Sequence, residues 1–394
     1  MKTKILFISW DGPQTSYMEG LFLPIFNQIS KNDTYEFHVL QFTWGPAKSS
    51  TAIFAKQAGI SFSTISIIRK PSILIGSFLS LFTGSRKIEK YMHKHQIDIV
   101  MPRSTFPAFM VNQIKPGNFK IIFDADGLPI EERVDFSGLL RSSRMYKWLK
   151  KQETKMLRAA DSVITRSKQS IAIHLKAIGD DHAAKFSVVY NGRDELLFKP
   201  ETTVRNSLRK QLGFLEDETV FIYSGSLGPQ YGWEEMLEIF EEYEQLFPSK
   251  WLIMTGNIEY AQARIPSKLT DRIIVKNVNF QEVSQYLNVA DIAFAIRKPT
   301  FSMKGIAPIK LGEYLLMDIP TIASAGIGDT ELIIKRMKKC FLYHHKSPGE
   351  TANVLDWIKN LKNFSDQSNR TEAVDIFSLQ AAADTYTKVL ENLR

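Results

Sequence analysis

One cysteine, Cys340, is present among 394 residues. Neither a disulfide framework nor a cysteine-built zinc cluster can form, and a reducing compartment suits such a chain; the lone thiol reads as buried packing. Long apolar runs are missing too, since no stretch reaches the roughly 18 to 20 uninterrupted apolar residues that a membrane-crossing helix needs. The opening MKTKILFISW places a short apolar run behind two lysines and meets Asp11-Gly12 at once. It is too brief for a signal-peptide core and reads as a first strand. A soluble or peripheral protein follows, cytoplasmic and at most at the inner face of a membrane. Among the seven histidines no metal-ligand spacing stands out: His93 and His95, two apart on a helical segment, point to different faces, and His38 reads as strand packing. No metal site is expected. No Ser-His-Asp or Cys-His arrangement stands out either. Zinc-finger spacing, an RNP-type aromatic signature and a long basic tail are all lacking, which argues against nucleic acid.

What the chain does carry is a formal net charge of +8. That surplus suits anionic partners such as nucleotide phosphates or anionic lipids, and it equally describes a solvated basic surface. With 44% hydrophobic and 23% charged residues the composition is that of an ordinary globular protein, about twice the usual length of one domain.

Two series of short apolar runs alternate with helix-length segments. The first comprises KILFIS from Lys4, YEFHVLQF from Tyr35, IDIVMP from Ile97, KIIFDA from Lys120, DSVITRS from Asp161 and FSVVYNG from Phe186. The second comprises TVFIYSG from Thr219, WLIMTG from Trp251, RIIVKN from Arg272, DIAFAIR from Asp291, PTIAS from Pro320 and CFLYH from Cys340. Consecutive apolar positions in such runs predict parallel strands covered on both faces by helices. Helical spacing recurs between them: Trp233, Met236, Leu237 and Phe240 share one face, as do Phe280, Val283, Leu287 and Ala290, where Asn279 and Glu282 suit a capping pair. The expected class is α/β, with two Rossmann-like doubly wound domains over residues 1–195 and 196–375, joined near NGRDELLFKPETT. An amphipathic helix from about Phe377 to Leu393 follows, and residues 376–394 are free to cross back to the first domain.

Residues just after parallel strands are the natural places for chemistry. The segment IRKPTFSMKGIAPIKLGEYLLMDIPTIASAGIGD leaves a strand, passes a basic loop and enters a helix at about Pro308. Such a junction presents free backbone N–H groups and the positive end of a helix dipole to an anion. Arg297, Lys298, Ser302, Lys304 and Gly305 lie in that stretch, and a diphosphate would be held from both sides. Glu313, about one turn into the helix, can accept two hydrogen bonds from a vicinal diol such as a ribose, or simply answer the helix dipole.

PIKLGEYLLMDIPTIAS, the downstream IGD, YNGRDELLFKP and VADIAF together resemble the C-terminal domain and linker of GT-B glycosyltransferases, above all the retaining nucleotide-sugar family 4. The resemblance implies two Rossmann-like domains facing across a cleft, and a sugar moved from a nucleoside-diphosphate donor, UDP- or GDP-linked, with no separate cofactor. It assigns Glu313 to the donor ribose and the preceding loop to diphosphate and sugar. The acceptor it implies is a lipid-linked or saccharide molecule of surface polysaccharide assembly, attacked with retention and without a protein nucleophile.

Three departures accompany it. The family's second glutamate, eight positions before the ribose glutamate, is Gly305 here. In FIYSGSLGPQYGWEEML the family's arginine and lysine positions hold Ser226 and Tyr231, although Gly225, Gly228 and Gly232 keep the loop open to close backbone approach. Charge on a departing nucleoside diphosphate must then fall to Arg297, Lys298, Lys304 or Lys310. Arg297 and Lys310 are the expected catalytic cations.

In the first half, SWDGPQTSY resembles the family's loop toward acceptor and sugar, with Asp11, Gly12 and Ser16 as candidates, against an ordinary strand-to-helix turn. FDADGLPIEERV carries Asp124, Asp126, Glu131 and Glu132 and resembles the acceptor-side acidic segment; Asp126 is the expected catalytic carboxylate. A paired-carboxylate glycosidase is conceivable from these acids, but the parallel-sheet pattern argues against it. Residues 69–87, RKPSILIGSFLSLFTGSRK, flank an apolar core with cations, suiting either a lipid interface or a buried helix. Two rival readings share the fold: a non-hydrolysing nucleotide-sugar 2-epimerase, and a non-catalytic partner subunit.

Overall fold

The computed structural model describes residues 2–12, 17–45, 49–364 and 368–393; Ser16 of the first glycine loop lies outside them. Contacts divide the chain into two compact units. Unit 1 contains the chain up to Tyr190 together with Lys304–Ile306 and the residues from Ala382 on. Unit 2 contains Asn191–Met303 and Ala307–Ala381.

Unit 1 holds β1 (Thr3–Trp10), β2 (Tyr35–Thr43), β3 (Ser61–Ser66), β4 (Ile99–Pro102), β5 (Lys120–Asp126), β6 (Ser162–Thr165) and β7 (Phe186–Val188). They form one sheet in the order β3-β2-β1-β4-β5-β6-β7, every pairing parallel. On β1 the run Ile5 to Ile8 is wholly buried, as a strand covered on both faces requires. Ile5 pairs with Phe37 on one side and Ile99 on the other, which sets the register. Strand β3 is absent from the sequence reading. Its polar SFSTIS occupies the sheet edge, where half-exposed positions carry no apolar signal.

Unit 2 holds β8 (Thr219–Ser224), β9 (Ser249–Met254), β10 (Ile273–Lys276), β11 (Ile292–Ala295), β12 (Thr321–Ser324) and β13 (Cys340–Tyr343), in the order β10-β9-β8-β11-β12-β13, again all parallel. Its core is aromatic: Trp251 stacks on Trp233 at 5.6 Å and meets Phe294 edge-on at 5.4 Å. In each unit strand order reverses direction at a single point, between β1 and β4 and between β8 and β11. Ligands of doubly wound sheets bind beyond the carboxyl ends of the strands at that switch point.

Two helices refine the sequence reading. The terminal helix read from about Phe377 to Leu393 is Leu379–Glu391, and a separate helix, Arg370–Phe377, precedes it. Ser378 separates them in an extended conformation, and its hydroxyl accepts from the Ala381 N–H at 3.0 Å, capping the second.

The helix Ile73–His95 is capped by Ser72, whose side chain accepts from the Ile75 N–H, and ends at Gln96 in the left-handed region. It packs inward through small residues: Gly76, Ser80, Gly84 and Ser85 are buried beside Leu81 and Ile88. A Cβ at Gly76 would stand 2.3 Å from the Ile68 carbonyl oxygen, so only glycine permits this approach. The large apolar side chains Ile75, Phe78, Leu79 and Phe82 face outward instead, between 37% and 53% exposed. Among the described residues no helix is long and apolar enough to cross a membrane.

Candidate functional site

At the switch point of unit 2, two cations share a cage of tyrosines. Strand β8 ends at Ser224, and its N–H donates to the Tyr314 hydroxyl at 2.8 Å, which locks the helix Ile309–Leu316 onto the sheet. Lys310, in the first turn of that helix, reaches back to β8, and its Nζ donates to the Tyr223 hydroxyl at 2.6 Å. That Nζ also lies 4.1 Å from the Tyr223 ring centre and 4.3 Å from that of Tyr231. Gly225, at φ +126°, makes this possible, because a Cβ there would stand 2.3 Å from Lys310 Cε. The glycine gives the lysine its room.

Arg297 follows β11. Its guanidinium sits 4.7 Å from the Tyr231 ring centre, with Nη2 3.4 Å from the Tyr231 hydroxyl and Nη1 3.6 Å from Met303 Sδ. Its backbone pairs with Tyr231 in an isolated antiparallel bridge. Neither Arg297 nor Lys310 forms an ion pair with a carboxylate among the described residues. Burial, then the nearby Arg297 charge, hold the Lys310 ammonium well below the ordinary lysine range. Burial, then Tyr231, push the Tyr223 hydroxyl well above its own. Two basic side chains without a carboxylate ion pair among the described residues, at a switch point, are an arrangement that an anion completes.

Glu313 is buried one turn further on, and its Oε1 accepts from Arg193 Nε at 2.8 Å. The apolar surroundings read around Glu313 are therefore joined by a buried arginine. Arg193 stands in the quoted YNGRDELLFKP stretch, and only the fold shows that it meets Glu313. Its backbone N–H donates to the Phe377 carbonyl, which fixes it in place.

The other expected donor-site residues are placed differently. Lys298 Nζ pairs with Glu234 at 2.8 Å. Ser226 is exposed, and its carbonyl accepts from the Tyr223 hydroxyl. Ser302 is buried with its hydroxyl 3.2 Å from that of Thr300. Lys304 and Gly305 belong to unit 1: the Lys304 carbonyl accepts from the Ser167 hydroxyl at 2.6 Å. A Cβ at Gly305 would stand 2.8 Å from the Leu128 backbone nitrogen and 2.9 Å from the Gly127 carbonyl carbon. Neither neighbour is the movable end of a side chain, so this backbone leaves no space for a glutamate at 305.

Unit 1 gathers charge at its own switch point. Gly12 is buried just past β1, and Asp11 before it is partly buried. Arg103 after β4, Asp124 and Asp126 at the end of β5, and Arg166 after β6 form one network. Arg166 Nη2 bonds Asp124 Oδ2 at 2.6 Å, and Arg103 reaches Asp124 at 3.3 Å and Asp126 at 2.8 Å. Burial opposes the Arg103 charge, but Asp126, Asp124 and Asp11 outweigh it and raise its pKa. The Asp11 carboxyl is raised, by burial first, with Arg103 pulling the other way. Asp126 is the half-exposed member, at φ +61° beside a register shift in β5. A left-handed aspartate costs backbone energy that its ion pairs offset. Glu131 is buried, accepts from the Tyr146 hydroxyl at 2.7 Å and pairs with Arg141 at 2.9 Å. Neither Arg103 nor Arg166 was singled out in the sequence, because each follows a different strand. Among the described residues no group of three or more His, Cys, Asp or Glu is placed to hold a metal.

No family model matches this chain, and no curated protein matches it by sequence. Solved structures do. HepE from Anabaena in complex with UDP superposes with a TM-score of 0.73 at 16% identity, over 99% of this chain and 100% of that one. Sucrose-phosphate synthase from Thermosynechococcus elongatus gives 0.73 at 16% identity, over 100% and 99%. The lipopolysaccharide outer core galactosyltransferase WaaB, in its apo form, gives 0.68 at 15% identity, over 100% of both chains. At these identities the likeness establishes a shared fold, that of the GT-B glycosyltransferases, with a seven-stranded and a six-stranded parallel sheet.

Proposed function

We propose that this chain is a glycosyltransferase that moves a sugar, with retention, from a nucleoside-diphosphate sugar to a lipid-linked or saccharide acceptor. The observation that carries this reading is the cage of Arg297, Lys310, Tyr223 and Tyr231, whose two cations have no carboxylate partner among the described residues. A diphosphate would supply the missing charge, and as the sugar leaves, both cations would face the oxygens on which negative charge grows. Side-chain cations then do the electrostatic work that a metal performs elsewhere. Glu313, oriented by Arg193, takes the ribose hydroxyls. Asp126, the half-exposed carboxylate of unit 1, serves the acceptor side.

The acceptor's membrane setting is supported by the outward apolar stripe of the helix Ile73–His95. Arg86, Lys87 and Lys90 follow it, and Arg69 and Lys70 precede it, all exposed. The adjoining helix Arg144–Ala159, which meets it through Phe78 and Trp148 at 5.5 Å, adds exposed Lys147, Lys151 and Lys155. Apolar side chains ringed by cations match an anionic lipid surface.

The test is a thermal-shift series with UDP, GDP, TDP and CMP, with and without EDTA. UDP comes first because HepE was solved with it. A diphosphate should raise the melting temperature equally in EDTA, and Lys310→Ala and Arg297→Ala should each abolish the shift. No shift with any nucleotide would remove the reading. A shift without any transfer to acceptor would favour a nucleotide-binding partner subunit, an outcome that the closed space at Gly305 makes specific.

A further inference from the structure

Ser324, His345 and Glu235 come from three separate elements of unit 2 and form one hydrogen-bonded chain. Ser324 ends β12, His345 lies two residues past β13, and Glu235 stands in the first turn of the helix Trp233–Glu244. The Ser324 hydroxyl is 2.8 Å from His345 Nε2, and His345 Nδ1 is 3.0 Å from Glu235 Oε1. Such an order of groups can activate a serine nucleophile. Here it cannot, because Ser324 is completely buried and its oxygen already accepts a hydrogen bond, from the backbone N–H of Arg297 at 2.9 Å.

With a neutral imidazole the donors and acceptors close in one way. A neutral His345 facing a carboxylate at Nδ1 carries its proton there and donates to Glu235, so Nε2 accepts from the Ser324 hydroxyl. The serine oxygen is thereby turned, lone pair first, toward the Arg297 N–H. On its other side the same stretch is held by the glycine loop, since the Lys298 N–H donates to the Gln230 carbonyl at 3.1 Å and Arg297 bridges Tyr231. His345 and Glu235 also line a cavity of about 610 Å³ with Lys298 and Tyr343, so the far end of the chain is open to solvent while the Ser324 end is sealed.

We propose that Glu235, His345 and Ser324 are positioning residues: acting in series, they fix the Arg297 backbone so that its guanidinium stays over Tyr231, ready for the donor diphosphate. The proposal rests on the glycosyltransferase reading for its ligand, though not for its geometry. Ser324→Ala removes one buried oxygen and leaves the Arg297 N–H without an acceptor. Glu235→Ala frees the imidazole to turn, whereas Glu235→Gln keeps an oxygen for His345 Nδ1–H.

The experiment has two arms. Titration calorimetry with UDP should show affinity falling roughly tenfold in Ser324→Ala and in Glu235→Ala, and staying within about twofold in Glu235→Gln. The Ser324→Ala, Glu235→Ala double variant should be no weaker than Ser324→Ala alone, since both changes break one chain. Additive losses, or a folded Ser324→Ala protein with unchanged affinity, would overturn the proposal. Amide hydrogen exchange without nucleotide forms the second arm, in which peptides spanning residues 296–300 should exchange faster in Ser324→Ala and Glu235→Ala than in Glu235→Gln. If the unaltered protein binds none of UDP, GDP and TDP, the glycosyltransferase reading fails by itself. Unchanged exchange in both alanine variants would then reject the positioning chain separately.

Discussion

Lys310 is held well below the ordinary lysine pKa by burial first and Arg297 second, which ties nucleotide binding to protons. An arriving diphosphate favours the charged amine and raises its pKa again. Between the depressed value in the free protein and the raised value in the complex, binding takes up a proton, so affinity falls as pH rises through that window. The sign for stability is opposite. The unfolded chain binds the Lys310 proton more tightly than the folded one, so Lys310 makes the free protein more stable as pH rises from the depressed pKa toward 10.5. Calorimetry in two buffers of different ionisation enthalpy should report proton uptake on UDP binding, and Lys310→Met should abolish it. Glu313 makes a second case. Glu313→Ala would take from buried Arg193 Nε the carboxylate it donates to, at a cost of about 3–5 kcal/mol, whereas Glu313→Gln keeps an acceptor for Arg193 Nε. Thermal melts should place Glu313→Gln well above Glu313→Ala; equal losses would deny the pair a structural role. At this scale the sequence offered the cations and the glutamate as candidates, because both rest on motif position. It concealed their partners, since Arg193 stands 120 positions from Glu313, and that distance closes only in the fold.

Elements were legible wherever burial was two-sided. Twelve apolar runs marked twelve strands, and β3 escaped because an edge strand needs no apolar alternation. The helix Ile73–His95 was visible as an apolar segment between cations, but composition could not say which way its large side chains point. Gly76, Ser80 and Gly84 decide that, since their lack of bulk draws one face inward and leaves Ile75, Phe78, Leu79 and Phe82 to solvent. Vesicle flotation tests the consequence. The protein should float with vesicles of mixed neutral and anionic lipid and remain behind with neutral lipid alone, and Ile75→Glu with Leu79→Glu, both about half exposed, should abolish flotation without lowering the melting temperature. Equal recovery with both lipids would reject the electrostatic part.

On the scale of the molecule, each unit has its own core: Ile8, Phe42, Val100 and Phe123 belong to one, and Phe221, Trp233, Trp251 and Phe294 to the other. All four members of the tyrosine cage lie in unit 2. Scanning calorimetry should therefore find that UDP raises the transition of unit 2, by about 2.7 kcal/mol of added stability at a hundredfold excess over Kd. A uniform rise, with no part of the melt preferred, would count against a site confined to that unit.

Unit 1 is not continuous along the chain. Tyr386 accepts from Arg166 at 3.3 Å and lies edge-on to Phe26 at 6.3 Å, and the Lys304 carbonyl answers Ser167. A ribosome that has delivered residues 1–190 has therefore not yet delivered all of the first unit. Its charged network of Arg103, Asp124 and Arg166 must wait, one side uncovered, until the whole of unit 2 has been synthesised and the segment from Ala382 emerges. The unit begun first is completed last, so a nascent chain stalled within unit 2 would expose an unfinished N-terminal half to chaperones and proteases.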